Sequence, residues 1–236
     1  MNRIKVISFD SEGTLVEPEF STLIWEHDIP RLYAEKLGLS FGEAKTRLLE
    51  EYNRIGDERI EWYDIGYWFK TLGLAGDWRE LLRARQSFCR FYPETKGVLE
   101  RLKDEYTLIV TSNTIREFLE VQLRDLTGFF TRIFSAPSDF REVKKSPEFY
   151  RRICGILNVK PEDCAHVGDH AKFDCEVPSQ IGISAYHLDR SRRLKGNHIV
   201  HDLLEFEKRI KNSNRVKGKI MLKSFKEPKI IKWKTN

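Results

Sequence analysis

From Glu94 onward, short β-forming runs alternate with helix-length segments, and this alternation restricts the fold more than any other feature. The pattern reads helix 95–104, strand 107–111, helix 115–125, strand 132–135, helix 147–157, strand 164–168, helix 174–181, strand 183–187 and helix 200–211. Strands separated by helices need crossover connections. These run right-handed and build a parallel sheet covered on both faces. One more strand-like run, Ile4-Lys5-Val6-Ile7-Ser8-Phe9, stands at the N-terminus and stops at Asp10 in Asp10-Ser11-Glu12-Gly13-Thr14-Leu15. In open sheets of this kind ligands bind at the carboxyl edge, so a strand ending in a carboxylate and a Gly-Thr turn presents that group to the site.

Between these two parts the pattern changes. Residues 20–37, 40–55, 59–72 and 77–91 carry apolar side chains at three- and four-residue spacing, as in Leu48, Leu49, Tyr52 and Trp62, Ile65, Trp68, Phe69, Leu72. Ser40-Phe41-Gly42-Glu43 has the form of a capping box, and Gly38, Gly56 and Gly73 mark helix ends. Helices without strands cannot extend a parallel sheet. The block is therefore expected to pack on itself as a helical cap, with borders near Glu17-Pro18 and Tyr92-Pro93. The predicted fold class is α/β, a Rossmann-like parallel-sheet core with an inserted all-helical cap. Residues 1–16 and 93–211 form the core, 17–92 the cap, and 212–236 a basic C-terminal extension.

The extension distorts the overall charge. Of the 41 Lys and Arg, eleven fall within residues 208–236, against one of the 36 acids, Glu227. The remaining body is thus −5 and the tail +10, so the pI near 8.9 belongs to the tail. A short strand or hairpin over Lys219–Lys223 and Lys229–Lys234 is expected, and the basic run offers a route to nucleic acid, although a solvated appendage accounts for it as well. Hydrophobic residues make up 40% and charged residues 33%, which fits a globular chain. No run approaches the roughly 20 apolar residues a membrane span needs. The four cysteines form no CxxC pair, and the N-terminus enters a strand directly. Both point to a cytoplasmic protein without disulfides or structural zinc.

Three further clusters accompany Asp10. Tyr106-Thr107-Leu108-Ile109-Val110-Thr111 ends in Ser112-Asn113; Lys144-Lys145-Ser146-Pro147 precedes a helix; Cys164-Ala165-His166-Val167-Gly168-Asp169 ends in an acid, with Asp174 five residues on. This order and spacing resemble the haloacid dehalogenase superfamily of phosphatases and related hydrolases, over roughly residues 1–210. In that family the first strand is central, with the 107–111 and 164–168 strands on either side, which would bring Asp10, Ser112 and Asp169 to one edge.

The resemblance implies a Mg²⁺-dependent phosphomonoester hydrolase acting on a small phosphorylated metabolite. Such reactions need accelerations of up to about 10²¹-fold, and the obstacle is bringing a carboxylate to a dianion. Asp10 would attack phosphorus to form an aspartyl-phosphate. Asp10, Asp169 and the backbone carbonyl of Glu12 would hold Mg²⁺, with Asp174 in support. Ser112, with the N–H groups of Asn113 and Thr114, would bind a phosphoryl oxygen. A lysine would neutralise nucleophile and phosphate together. Lys144 and Lys145 both could, and aligning Pro147 with the second proline of the family's Lys-Pro-x-Pro pattern selects Lys144.

The chain departs from the family at Glu12, where its phosphatases usually carry a second Asp as general acid and base. Glu keeps the carboxylate but shifts its reach by about 1.5 Å. Two alternatives therefore stand beside the phosphatase: a 2-haloacid dehalogenase-like hydrolase in which Asp10 attacks carbon without a metal, and a catalytically weak binding or regulatory protein on the same scaffold. The acidic pair Asp169 and Asp174 favours the phosphatase. Trp25, His27, Arg31, Arg59, Trp62, Tyr63, Tyr67, Trp68 and Lys70 are candidate cap-wall residues, although aromatics at this spacing also suit the cap's own core.

Overall fold

The structure, a computed structural model, describes residues 3–224, with side chains through Ser213. Strand β1 (Val6–Phe9) is buried along its whole length and lies in the middle of a six-stranded sheet. With β2 (Thr107–Ser112), β3 (Arg132–Ser135), β4 (Cys164–Gly168), β5 (Ser184–Leu188) and β6 (Ile199–Val200), the order is β3-β2-β1-β4-β5-β6. Every pairing is parallel. Neighbouring strand residues point to opposite faces, so each face builds its own core. Ile7 and Phe9 join Leu99, Leu119 and Phe206 on one side. Val6 and Ile109 join Phe149, Tyr150 and Ile153 on the other.

The helical insert follows β1. It comprises α1 (Glu19–Leu23), which continues through a π-helical turn at Ile24–Asp28 into α2 (Ile29–Leu37), then α3 (Phe41–Ile55), α4 (Ile60–Tyr63), α5 (Ile65–Leu72) and α6 (Trp78–Ala84). The capping box at the start of α3 is present in both directions between Ser40 and Glu43. Phe20, Ile24, Ile29, Leu48 and Trp68 form the insert's own core. That core also takes Ile115 and Phe118, just after strand β2, so the cap is seated on the core and does not pack solely on itself. Two strands of chain cross at its base: Val16 bridges Phe91 antiparallel, and the Glu17 N–H donates to the Arg90 carbonyl at 2.8 Å.

The sheet-side helices are α7 (Thr95–Leu102), α8 (Arg116–Gln122), α9 (Ala136–Phe140), α10 (Pro147–Ile156), α11 (Val177–Ser179) and α12 (Leu203–Ser224). Several expectations are corrected. The segment 77–91 is not one helix: α6 stops at Ala84, and Arg85 turns inward to form a bidentate pair with the buried Asp28 at 2.6 and 2.5 Å. Helix α9 and strand β6 escaped the periodicity because each is too short to show one. The expected strand over Lys219–Lys223 is helical, the continuation of α12, because Lys, Leu and Met are good helix formers and no proline intervenes. The other half of that expected hairpin, Lys229–Lys234, lies outside the described residues. No described helix is long and apolar enough to cross a membrane.

Candidate active site

The register brings the strand ends together. Phe9 pairs with Val110 on one side and Val167 on the other, so Asp10, Ser112 and Asp169 emerge at neighbouring points of the carboxyl edge. The Asp10 N–H donates to the Val167 carbonyl at 2.9 Å, which fixes where its side chain leaves the strand. Oxygen atoms of Asp10, Asp169 and Asp174 lie within 4.8 Å of one another. Two glycines allow this crowding. Gly13 sits at φ 76°, where its turn needs a left-handed residue, and a Cβ there would strike the Asp169 carboxylate. A Cβ on Gly168 would strike that of Asp174.

A lysine lies in the middle of this cluster. The Lys145 ammonium, 2% exposed, donates to Asp10 Oδ1 at 2.7 Å, to the Thr111 carbonyl at 3.3 Å and to Asp174 Oδ1. The expectation for Lys144 is thereby corrected. Lys144 Nζ points the other way and donates to Asp57 and Glu58 of the cap at 2.8 and 2.7 Å. The Lys145 N–H donates to Asn113 Oδ1 at 2.7 Å, and Ser146 caps α10 by accepting from the Phe149 N–H at 3.0 Å. Pinned on both sides, the extended chain sends consecutive side chains in opposite directions, one lysine to the core and one to the cap. Asn113 thus holds the lysine loop. The Thr114 N–H, expected to face a phosphoryl oxygen, donates to Ser112 Oγ at 3.2 Å.

The three acids differ electrostatically. Burial raises the pKa of Asp10, and the charges of Asp174 and Asp169 add to this against the pull of Lys145. Asp169, although its side chain reaches solvent, is raised by desolvation and by Asp174. For Asp174 burial also works upward, but Lys145 and His166 outweigh it and hold the group well below the usual carboxylate range. In Lys145 desolvation is overcome by Asp10 and Asp174, so its ammonium stays charged.

Beneath the acids lies a polar layer that the motifs did not reveal. The fully buried His166 pairs in register with Ser8. Its Nε2 is 3.0 Å from Asp174 Oδ1 and its Nδ1 is 2.9 Å from Ser8 Oγ, which in turn lies 2.8 Å from Thr111 Oγ1. Burial lowers the imidazole pKa and keeps the ring neutral. A proton on Nε2, donated to Asp174, with Nδ1 accepting from Ser8, is the tautomer these partners select. The Tyr150 hydroxyl donates to the Phe173 carbonyl at 3.0 Å and closes the layer. The sequence signal for it was present: Ser8, Thr111 and His166 are polar residues inside otherwise apolar central strands.

Glu12 stands on the cap side of the cluster. Its Oε2 accepts from Ser21 Oγ at 2.5 Å and from Gln122 Nε2 at 2.7 Å. Desolvation raises its pKa despite these two bonds, and the charge of Asp169 contributes. Its carboxylate is directed toward the cap and does not join the acid cluster. The turn behind it is held by Arg190, which donates to the Gly13 and Thr14 carbonyls at 3.1 and 2.7 Å while its guanidinium lies 3.4 Å from the Tyr92 ring centroid. Neither Arg190 nor Gln122 carried a motif. Glu12 also lines a cavity of about 410 Å³ beneath the cap, with Trp25 and Trp62 among its walls.

The cluster has the chemistry of a hard-cation site. All its donors are carboxylate oxygens, they converge at one edge, and burial leaves Asp10 and Asp169 in need of positive charge beyond what Lys145 supplies. The oxygens of Asp174 are already engaged: Oδ1 with Lys145 and His166, Oδ2 with the His170 N–H at 3.0 Å. Asp10 and Asp169 are therefore the two with capacity to spare.

Comparison with known proteins agrees with this geometry. The family description "haloacid dehalogenase-like hydrolase" matches residues 4–182. The chain is 28% identical over 195 residues to a glyceraldehyde 3-phosphate phosphatase of Pyrococcus furiosus, covering 78% of this chain and 80% of that protein. A crystal structure of a HAD phosphatase from Thermococcus onnurineus is similar with a TM-score of 0.77 at 25% identity, covering 87% of this chain and 97% of that one. The L-2-haloacid dehalogenase of Xanthobacter autotrophicus shares the fold, with a TM-score of 0.56 at 17% identity over 88% of this chain and 98% of its own. The family match covers the first four strands and the inserted cap, and the chain belongs to the haloacid dehalogenase-like hydrolases.

Proposed function

We propose that this hydrolase is a Mg²⁺-dependent phosphomonoester phosphatase that works through an aspartyl-phosphate on Asp10. The observation that carries the proposal is the close grouping of Asp10 with Asp169 and Asp174 around the Lys145 ammonium. A carboxylate attacking carbon has no use for two further acids beside it. A carboxylate attacking a phosphoryl dianion needs cations there, and a site that can gather them. The phosphatase names of the Pyrococcus and Thermococcus relatives point the same way.

In this reading Lys145 aims Asp10 and opposes the burial that favours its protonation, and Asp174 with His166 beneath it holds Lys145. Asp10 Oδ2 takes no hydrogen bond among those the described residues make, which leaves it as the attacking oxygen. Asp10, Asp169 and the Glu12 carbonyl would hold Mg²⁺, which would supply charge neutralisation to the phosphoryl oxygens. Ser112 Oγ binds a phosphoryl oxygen. The half-buried Glu12 carboxyl, its pKa raised, gives a proton to the departing alkoxide and takes one from the water that later hydrolyses the phosphoenzyme. Ser21 and Gln122 orient it for both steps. The test is a turnover screen over small phosphorylated metabolites with and without Mg²⁺. Metal-dependent phosphate release is expected. Halide release from a 2-haloacid, unchanged in EDTA, would replace this reading with the dehalogenase.

A further inference from the structure

The space on the far side of Glu12 differs from a site built for a sugar or polyol. Two cavities, about 410 and 230 Å³, share Glu12, Ser21, Trp25 and Trp62 as lining, so they adjoin at the cap. The smaller is also lined by Thr114, next but one to Ser112, and so opens toward the phosphoryl end of the site. The larger reaches into the cap past Leu48, Leu49 and Tyr52, and its volume falls within the roughly 300–1,000 Å³ usual for organic ligands.

Its walls are mainly aromatic and aliphatic, and the rings pack on one another. Trp25 stacks on Phe118 with an interplanar angle of 12° and meets Tyr52 edge-on, and Tyr52 meets Trp68 edge-on at 4.6 Å. Polar partners are few. The carboxylate of Glu12 and the hydroxyl of Ser21 are already bonded to each other, and Glu26 pairs with Lys45 at 3.2 Å. The Tyr52 hydroxyl is buried behind this wall with no hydrogen-bond partner among the described residues. A polyol moved here from water would lose hydrogen bonds and regain almost none. A flat ring would cover apolar surface on several sides.

We infer that the leaving group is a planar aromatic or heteroaromatic ring, joined to the phosphate through a short linker and seated against Trp25 and Trp62. This rests on the phosphatase reading and names the substrate class for it. Glu12 lies at the junction of the two parts, where the bridging oxygen of such an ester must pass.

The test compares three alkyl phosphates of similar leaving-group chemistry: ethyl, glycerol and 2-phenylethyl phosphate. The phenyl compound is expected to exceed ethyl phosphate in kcat/KM by at least about 30-fold, the ratio supplied by burying a phenyl ring's apolar surface. Leu49→Trp, which adds bulk at the cavity's exposed rim, should cut that ratio about tenfold. Because the ratio is internal to each protein, partial loss of folded enzyme does not alter it. A wild-type ratio near one, or a preference for glycerol phosphate, overturns the inference and leaves the phosphatase standing. If none of the three turns over with Mg²⁺, the phosphatase reading is decided by the metabolite screen. Calorimetry with ethylphosphonate and 2-phenylethylphosphonate then decides the cavity alone: tighter binding of the phenyl compound supports it, and equal binding overturns it.

Discussion

The sheet edge and the cap cavity meet at Glu12 but are built on opposite principles. At the edge Lys145 and Asp174 are saturated: Lys145 spends its donors on Asp10, Asp174 and Thr111, and Asp174 accepts from Lys145, His166 and the His170 N–H. In the cavity apolar walls dominate and one tyrosine hydroxyl goes unpaired. A fully paired cluster fixes geometry and tolerates little change, because removing one partner strands the others in a low-dielectric site. An apolar cavity fixes only shape and can be altered at small cost. Reaction type therefore resides in the core edge and substrate choice in the cap.

The comparison breaks first at the nucleophile. Asp10→Asn is expected to lower kcat by about 10⁴-fold or more, because no other group can form the covalent intermediate. Lys145 keeps Asp174, so the thermal midpoint should stay close to that of the wild type, as differential scanning calorimetry would show. Near-normal turnover by folded protein contradicts the mechanism.

The adjacent lysines give the sharpest contrast. Lys145→Met leaves two buried carboxylates without their cation and should cost about 3–5 kcal/mol of stability, with activity falling about 10³-fold. Lys144→Met removes a pairing between the core and exposed cap acids and should cost about 1 kcal/mol or less, with kcat/KM within a few-fold. Denaturant titration with steady-state assays measures both. Equal effects would mean that the two lysines have been assigned to the wrong sides.

Glu12 comes next. Glu12→Gln keeps the bond from Ser21 but cannot transfer a proton, so kcat should drop by about 10²–10⁴-fold. Glu12→Asp should retain much more of it. A Gln variant at wild-type rate removes the proton-transfer role and leaves only the backbone carbonyl.

Smaller effects come from the cap and from the loop beyond β5. Tyr52→Phe removes an unpaired buried hydroxyl and should raise stability by about 1 kcal/mol. A loss of that size would mean that the hydroxyl has a partner in solution. Asp189 is held at about 2, chiefly by the Ser191 hydroxyl and by the N–H groups of Leu194, Arg193 and Ser191. Its pKa is depressed on folding, so its contribution is fully present above the ordinary carboxylate value and is lost as pH falls from about 4 through 2. Asp189→Asn should flatten that part of the stability–pH curve, which acid titration of the two proteins would reveal.

The sheet and its edge were legible in the sequence because a parallel strand buried on both faces is a run of apolar residues, and its end marks the edge. Asp10, Ser112 and Asp169 are found by that rule alone. The lysine was not, because Lys144 and Lys145 differ by a single residue. The choice between them turns on Asn113, 32 positions away, which accepts from the Lys145 N–H. The cavity was also hidden. Aromatics at helical spacing look alike whether they fill a core, as Trp68 does, or line a space, as Trp25 and Trp62 do. Of the other wall candidates, His27 stacks on Phe41 and Arg59 pairs with Glu61.

The central claim, that Asp10 carries the phosphoryl group, has a direct test. Enzyme turning over a phosphate monoester with Mg²⁺ would be acid-quenched, digested and mapped by mass spectrometry. The account predicts one phosphoryl group on the peptide containing Asp10, absent from Asp10→Asn. Continued phosphate release with no phosphorylated Asp10 at any quench time would contradict it.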